Sequence, residues 1–331
     1  MGRLPDRGIR QVESRSVSRQ TANDTASGET RARPAGPGGV LWRHLIEPYL
    51  YLSPALVLIG LVMAVPLAIG ISYSFQSITL LRPLDSGWVG LENYRDLWSD
   101  RKFWRAFANT FQWTFGSLAF QFGLGLGLAL LLNTAFAGKR LIQALVFLPW
   151  AVPAFLSALT WAWLFNPVIG PIPHWLAALG LLDEAENILA DPALAMWGPI
   201  VANIWFGIPF FAITLLAALQ SIPGELYEAA EIDGASPWQS FTKITLPFLA
   251  PMIAITVMLR TIWIANFADL IFVMTGGGPA DSTQILATYI FTTAFRKLDF
   301  GYASAIAVAL LALLLVYAAV LMMIRQRLVR T

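Results

Sequence analysis

Residues 228–247 read EAAEIDGASPWQSFTKITLP, an acidic, glycine-broken and proline-bounded stretch between two runs apolar enough to live in lipid. Glu225–Ile232 holds good helix formers, with Pro223 just ahead of the first turn. Gly234 stands where a helix ends in the left-handed conformation, which glycine adopts without steric cost. Ser236-Pro237-Trp238-Gln239 then reads as a second start: Ser as N-cap, Pro at the first position and Gln at the third, a capping box. The pattern predicts two short helices meeting at an angle, with the corner at Gly234. Leu226, Ala229 and Ala230 share one face of the first helix, leaving a small-residue surface with acidic flanks. Such a face suits docking in a groove of another protein; a solvated connector that touches nothing is the alternative reading, and the ordered turn chemistry favours docking over it.

Outward from the corner, 57% of the 331 residues are hydrophobic and 13% are charged, against about 25% charged in an ordinary soluble domain. Runs near the length that crosses a bilayer core as a helix recur along the chain, which reads as an all-α integral membrane protein. Six spans are expected, at 49–75, 107–133, 142–165, 196–219, 246–271 and 302–324. Residues 1–40 are rich in Ser, Thr, Arg, Gly and Pro and read as a disordered tail. Residues 41–331 form the membrane domain, with the polar segment 221–247 as its largest loop on the tail's side.

Lysine and arginine orient the bundle. Arg3, Arg7, Arg10, Arg15, Arg19, Arg31, Arg33 and Arg43 precede the first span, Lys139 and Arg140 occupy the second-to-third loop, and Arg325, Arg327 and Arg330 follow the last. All three sets fall on one face, which places both termini and the 221–247 loop in the cytoplasm. The third-to-fourth loop carries only Asp183, Glu184, Glu186 and Asp191. The first outer loop is a mild exception, with Arg82, Arg95, Arg101, Lys102 and Arg105.

No phosphate-loop, zinc-helix or nucleophile-elbow motif occurs, and cysteine is absent. His44 and His174 have no partner nearby in sequence. No catalytic residue, metal site, cofactor or nucleic-acid partner is expected in this chain. Any nucleotide it depends on must bind another one.

Glu228-Ala229-Ala230, three residues, Gly234, nine residues, then Ile244-x-Leu246-Pro247 resembles the signature loop of inner-membrane permease subunits of binding-protein-dependent ABC importers. The segments 109–133, 147–167 and TGGGPADSTQILATYIFTTAF (275–295) look like the sugar-type permeases related to the maltose and glycerol phosphate systems, in the subunit usually encoded first of a pair. The resemblance runs over 45–327 and implies a six-span permease whose cytoplasmic coupling helix docks in a cleft of a separate ATPase. Glu228, Ala229, Ala230, Asp233, Gly234, Leu246 and Pro247 would make or shape that contact. The implied partners are a second homologous permease, two ATPase subunits holding ATP and Mg, a periplasmic or lipid-anchored sugar-binding protein, a sugar or glycoside cargo, and lipid. The chain lacks room for the extra amino-terminal spans and large periplasmic insertion of the enteric maltose subunit.

Polar groups inside lipid are costly and so tend to face the bundle interior. Asn266 and Asp269, three apart, fall on one face of the fifth span, with Arg260 and Trp263 on the same helix. The fourth span offers Asn203, Gly207, Phe210 and Thr214, and the third Trp161 and Trp163. Asn203, Phe210, Arg260, Trp263, Asn266 and Asp269 are the candidate lining of a sugar pathway. Helix pairing for Asn203, Asn266 and Arg260, and interfacial anchoring for the tryptophans, are the alternative readings. Gly123 and Gly127 form a small-xxx-small pair suited to close helix packing. TGGGP (275–279) reads as an outer turn near the binding protein. A stand-alone ion-coupled secondary carrier is the competing reading; inverted repeats and paired broken helices would favour it, and none stands out.

Overall fold

A computed structural model describes residues 37–82, 84 and 86–330. Of the tail expected at 1–40, residues 1–36 lie outside that range. Chain contacts divide the chain into two units at the Ala64–Val65 boundary. In the first, α1 (Pro37–Ile59) passes into a π-helical turn at Gly60–Ala64.

The second unit begins with α2 (Val65–Tyr73) and a two-stranded antiparallel ribbon of β1 (Gln76–Ser77) and β2 (Gly87–Trp88), in which Gln76 pairs with Trp88. It continues through α3 (Glu92–Ser99), α4 (Arg101–Asn133), α5 (Lys139–Ala151), α6 (Ala154–Leu164), α7 (Pro171–Ala178) and α8 (Trp197–Gln220). Next come α9 (Glu225–Ile232), α10 (Pro237–Ser240), α11 (Leu246–Asn266), α12 (Asp269–Met274), α13 (Leu286–Phe295) and α14 (Phe300–Arg330).

Among the described residues, five helical runs are long and apolar enough to cross a membrane: Pro48–Tyr73, Arg101–Asn133, Trp197–Gln220, Pro237–Met274 and Phe300–Met323. The third expected span is not one rod. α5 and α6 meet at 98° across Val152-Pro153, so they make a sixth crossing only if the bent pair counts as one. Pro153 has no N–H to continue the α5 ladder, and its ring holds Val152 extended. The fifth expected span starts nine residues early, at Pro237, because the second short helix of the polar loop runs straight into it.

The core is the α4–α8 contact, with α11 laid across both. Trp113, Phe211, Ile200, Leu215, Leu249 and Ile264 are fully buried there. Trp113 Nε1 donates to the Ile264 carbonyl at 2.8 Å, fixing α4 against α11. α4 and α8 approach closely at Gly125, where an added Cβ would overlap Phe211; Gly123 and Gly127 meet nothing within 4 Å. The packing face of α4 therefore runs through the middle glycine of GLGLG rather than the pair at its ends. A second cluster of Leu97, Phe103, Leu286, Tyr289 and Ile306 joins α3, α4, α13 and α14. The outer faces of the spans are apolar too, with Phe111, Phe115, Phe120, Leu124 and Leu131 all exposed on α4, as a bilayer rather than water demands.

Candidate functional site

The polar loop folds as two capped pieces. α9 ends in a Schellman closure: Gly234 sits at φ 76°, its N–H reaches the Glu231 carbonyl at 3.0 Å, and the Ala235 N–H reaches Ala230 at 2.9 Å. Two residues on, the Gln239 N–H donates to Ser236 Oγ at 3.3 Å and the Ser236 N–H to Gln239 Oε1 at 2.8 Å, completing the capping box with Pro237 at the first helical position. The corner at Gly234 is therefore built as its local sequence implies. Glu225 and Glu228 lie in the first turn of α9, where the helix dipole favours negative charge.

Tyr227, which sequence reasoning passed over, ties the corner to the next span. Its hydroxyl pairs with Thr245 Oγ1 at 2.9 Å. Between α10 and α11 the chain widens into a π turn at Phe241–Thr245. In a regular α-helix the Pro247 ring would strike the Lys243 carbonyl, and the wider turn relieves that. Leu246 and Pro247 thus shape the first turn of α11, while Glu228, Ala229, Asp233 and Gly234 are exposed on the corner itself and Ala230 is half-buried. Among the described residues, none of Glu225, Glu228, Glu231 or Asp233 forms an ion pair. Ile232 is 86% exposed and Trp238 70%, and Trp238 stacks on Phe241 at 5.6 Å. Unpaired acids thus stand beside bare apolar side chains on the corner.

Further along α11, the expected pathway residues separate into two groups. Arg260 is 1% exposed, held between α4, α8 and α11. Its Nε donates to Gln121 Oε1 at 2.7 Å, and Gln121 Nε2 donates to the Asn203 carbonyl at 2.8 Å. Gly207 admits this pair; a Cβ there would overlap the Gln121 amide and crowd the guanidinium. The guanidinium carbon lies 5.1 Å from the Trp263 ring centre and 5.9 Å from that of Phe210, the geometry of cation–π contact. Arg260 Nη2 and both side-chain polar atoms of Asn203 are buried with no partner. Unpartnered groups at this depth are costly. Asn203, Phe210, Arg260 and Trp263 are thus brought together, and Gln121 joins them.

Asn266 and Asp269 do not share a helix face. α11 stops at Asn266, Phe267 adopts φ −85°, ψ 85°, and Asp269 begins α12, which packs on α6. Both residues are exposed, and the Asn266 amide turns back to the Ile262 carbonyl at 2.9 Å. Three-residue spacing implies a common face only while the helix is unbroken.

At the far end of α11 from the corner, Asp100 caps α4 and accepts from Tyr289 at 2.6 Å and Tyr302 at 2.9 Å. Burial alone would push its carboxyl up. Hydrogen bonds from Tyr289, the Lys102 N–H, Tyr302 and the Phe103 N–H outweigh that and hold it below the ordinary carboxylate value. Burial, reinforced by Asp100, pushes the Tyr289 phenol up. The joint fastens α13 and α14 to the start of α4.

The family profile described as "Binding-protein-dependent transport system inner membrane component" matches residues 121–330. The chain is 37% identical over 282 residues to the sulfoquinovosyl glycerol transport system permease protein SmoG of Agrobacterium fabrum, covering 85% of this chain and 90% of that one. It is 36% identical over 267 residues to the trehalose/maltose transport system permease protein MalF of Thermococcus litoralis, covering 81% and 89%. A bacterial ABC transporter involved in the import of the acidic polysaccharide alginate superposes with a TM-score of 0.74 at 26% identity, over 87% of this chain and 99% of that one. Family membership overturns the stand-alone carrier reading. The chain belongs to the binding-protein-dependent ABC transport permeases: it is an inner-membrane transport component and not an enzyme.

Proposed function

We propose that this permease carries a sugar or sugar derivative of the di- or oligosaccharide or glycoside class, driven by ATP hydrolysed on separate subunits. The single observation that carries the reading is the corner: an internally capped, solvent-exposed turn whose acids form no ion pair among the described residues and whose Ile232 and Trp238 stand exposed. Relatives with sugar cargoes, such as the trehalose/maltose permease, support the substrate class. The partners follow as a second homologous permease, two ATPase subunits with ATP and Mg, and a sugar-binding protein at the opposite end. Both termini lie in the cytoplasm, in keeping with the arginines around them.

Mechanically, the ATPases move α9, and the Tyr227–Thr245 bond and the 38-residue run Pro237–Met274 carry that motion to the other end. The pathway takes its polar contacts from Asn203, Gln121 and Arg260 and its apolar faces from Phe210 and Trp263, the mixture a sugar ring requires. Asn266 and Asp269 stand at the break where α11 yields to α12, and contribute at the mouth of the route. Arg260 stays shielded in the state described and gains a partner when α11 shifts on α4.

The test is reconstitution of the chain with its partner permease and ATPase in proteoliposomes, followed by uptake of labelled trehalose, maltose and related glycosides. Vanadate-sensitive uptake that needs both ATP and binding protein is expected. Uptake driven by an ion gradient without ATP would sink the proposal. Independence from Glu228→Lys would remove the corner's assigned role.

A further inference from the structure

At the end of the bundle remote from the corner, the start of α4, the TGGGP turn and α13 border an open polar cavity of ≈ 200 Å³. That is far more than the about 10–15 Å³ a single water needs. Lys102, Asp281, Gln284, Thr292, Arg296 and Lys297 line it. Lys102 is paired with Asp281 at 3.2 Å; among the described residues neither Arg296 nor Lys297 has an acid within ion-pair distance. Three cations against one acid leave the cavity at +2.

The two free cations are positioned without being neutralised. The Arg296 guanidinium lies 5.3 Å from the centre of the Phe272 ring and Lys297 Nζ 4.8 Å from that of Tyr289. Ring faces orient a cation while leaving its charge available. The rim is held as well. Asn109 Nδ2 donates to the carbonyls of Asp281 and Gln284 at 3.0 and 2.9 Å, and Arg105 Nη1 to Ala280 at 2.8 Å, fixing a turn in which Ala280 and Asp281 adopt φ 47° and 60°. A rigid rim with exposed, unneutralised charge is prepared for an anion and loses little freedom on binding it.

We propose that this cavity is a docking socket for a carboxylate side chain on the surface of the substrate-binding protein. The proposal rests on the functional reading above, which puts the binding protein at this end. Arg296 and Lys297 are exposed, and charges of this kind on an interface rim act on association and salt dependence. A free anion in water would gain little from them, whereas a carboxylate delivered on a protein surface is carried in by the rest of the contact.

The experiment uses the assembled importer in lipid nanodiscs with the purified binding protein of the same transporter. ATP hydrolysis is followed against binding-protein concentration for the wild type, Arg296→Gln/Lys297→Gln and the conservative Arg296→Lys. In the double variant the half-maximal concentration should rise about fivefold or more, with the maximal rate and basal hydrolysis unchanged. Wild-type docking should weaken with added salt, the double variant should lose most of that dependence, and Arg296→Lys should retain it. An unchanged half-maximal concentration overturns the proposal, as does a fall in basal hydrolysis, which would assign the pair to assembly. It is equally overturned if inorganic phosphate raises the wild-type melting temperature, but not the double variant's, while docking stays unaltered. A wild type that hydrolyses ATP identically with and without binding protein refutes the functional reading itself and this proposal with it.

Discussion

The corner at α9–α10 and the cluster around Arg260 belong to one stretch of chain, yet they treat polar groups in opposite ways. At the corner a Schellman closure and a capping box take up backbone groups at the two helix ends locally, while the charged and apolar side chains stand bare. Around Arg260 the backbone is ordinary helix, and it is the side chains that are buried and short of partners. A turn that must present a surface to another protein needs a rigid frame and free side chains. A site that changes partners inside lipid needs regular helices and a reserve of unused hydrogen bonds. The two regions therefore predict different responses to substitution: cluster variants should lose the fold, and corner variants should lose only the partner.

Gly207→Val should have the largest effect, because its side chain would enter space held by Gln121 and Arg260. Overpacking of this kind costs about 1–3 kcal/mol and at times more. A several-fold drop in membrane-inserted protein is expected by quantitative blotting; wild-type levels would break the contrast. Gly234→Val comes next. A β-branched residue at φ 76° costs roughly 1–2 kcal/mol or more, but the strain is confined to the exposed corner. Insertion should be normal and copurification with the ATPase should collapse. Loss of insertion as well would show that the corner is not separable from the bundle.

Gln121→Leu and Arg260→Met sharpen the other side of the comparison. Either alone leaves a buried polar group unpaired, at about 1–3 kcal/mol, whereas the double variant removes both. A double-mutant cycle on the thermal midpoint should return a coupling of about 0.5–3 kcal/mol. Additivity would mean that the pair does not act as a unit. Tyr227→Phe should have the smallest effect. It removes one hydrogen bond, worth about 0.5–1.5 kcal/mol, so the thermal midpoint should barely move while ATP turnover per sugar carried rises. Unchanged coupling stoichiometry would remove Tyr227 from the transmission route.

Much of this architecture was written locally, and those parts were readable. Ser236, Pro237, Gln239 and Gly234 specify their caps within a few residues, so the corner follows from adjacent chemistry. The fourth span, expected at 196–219, is Trp197–Gln220. Pro153 carried a signal of the bend between α5 and α6, which the length of the apolar run masked. The break at Phe267-Ala268 has neither Gly nor Pro to announce it and arises from how α12 packs on α6. Which glycine of GLGLG meets α8 depends on the rotation of α4. Gln121 and Arg260 stand 139 residues apart, and no period or propensity links positions at that separation.

The π turn at Phe241–Thr245 has one more consequence. Each residue of an α-helix advances the chain by about 100° around the axis, as 3.6 residues per turn requires. A turn closed by an i→i+5 bond holds roughly one residue more than its α counterpart. It thus works as a phase adjuster, storing a surplus residue between Ser236 and Arg260 so that the guanidinium still points at Gln121. Winding that turn tight or loose would rotate everything beyond it as a single dial, so that a push at the corner becomes a twist further along.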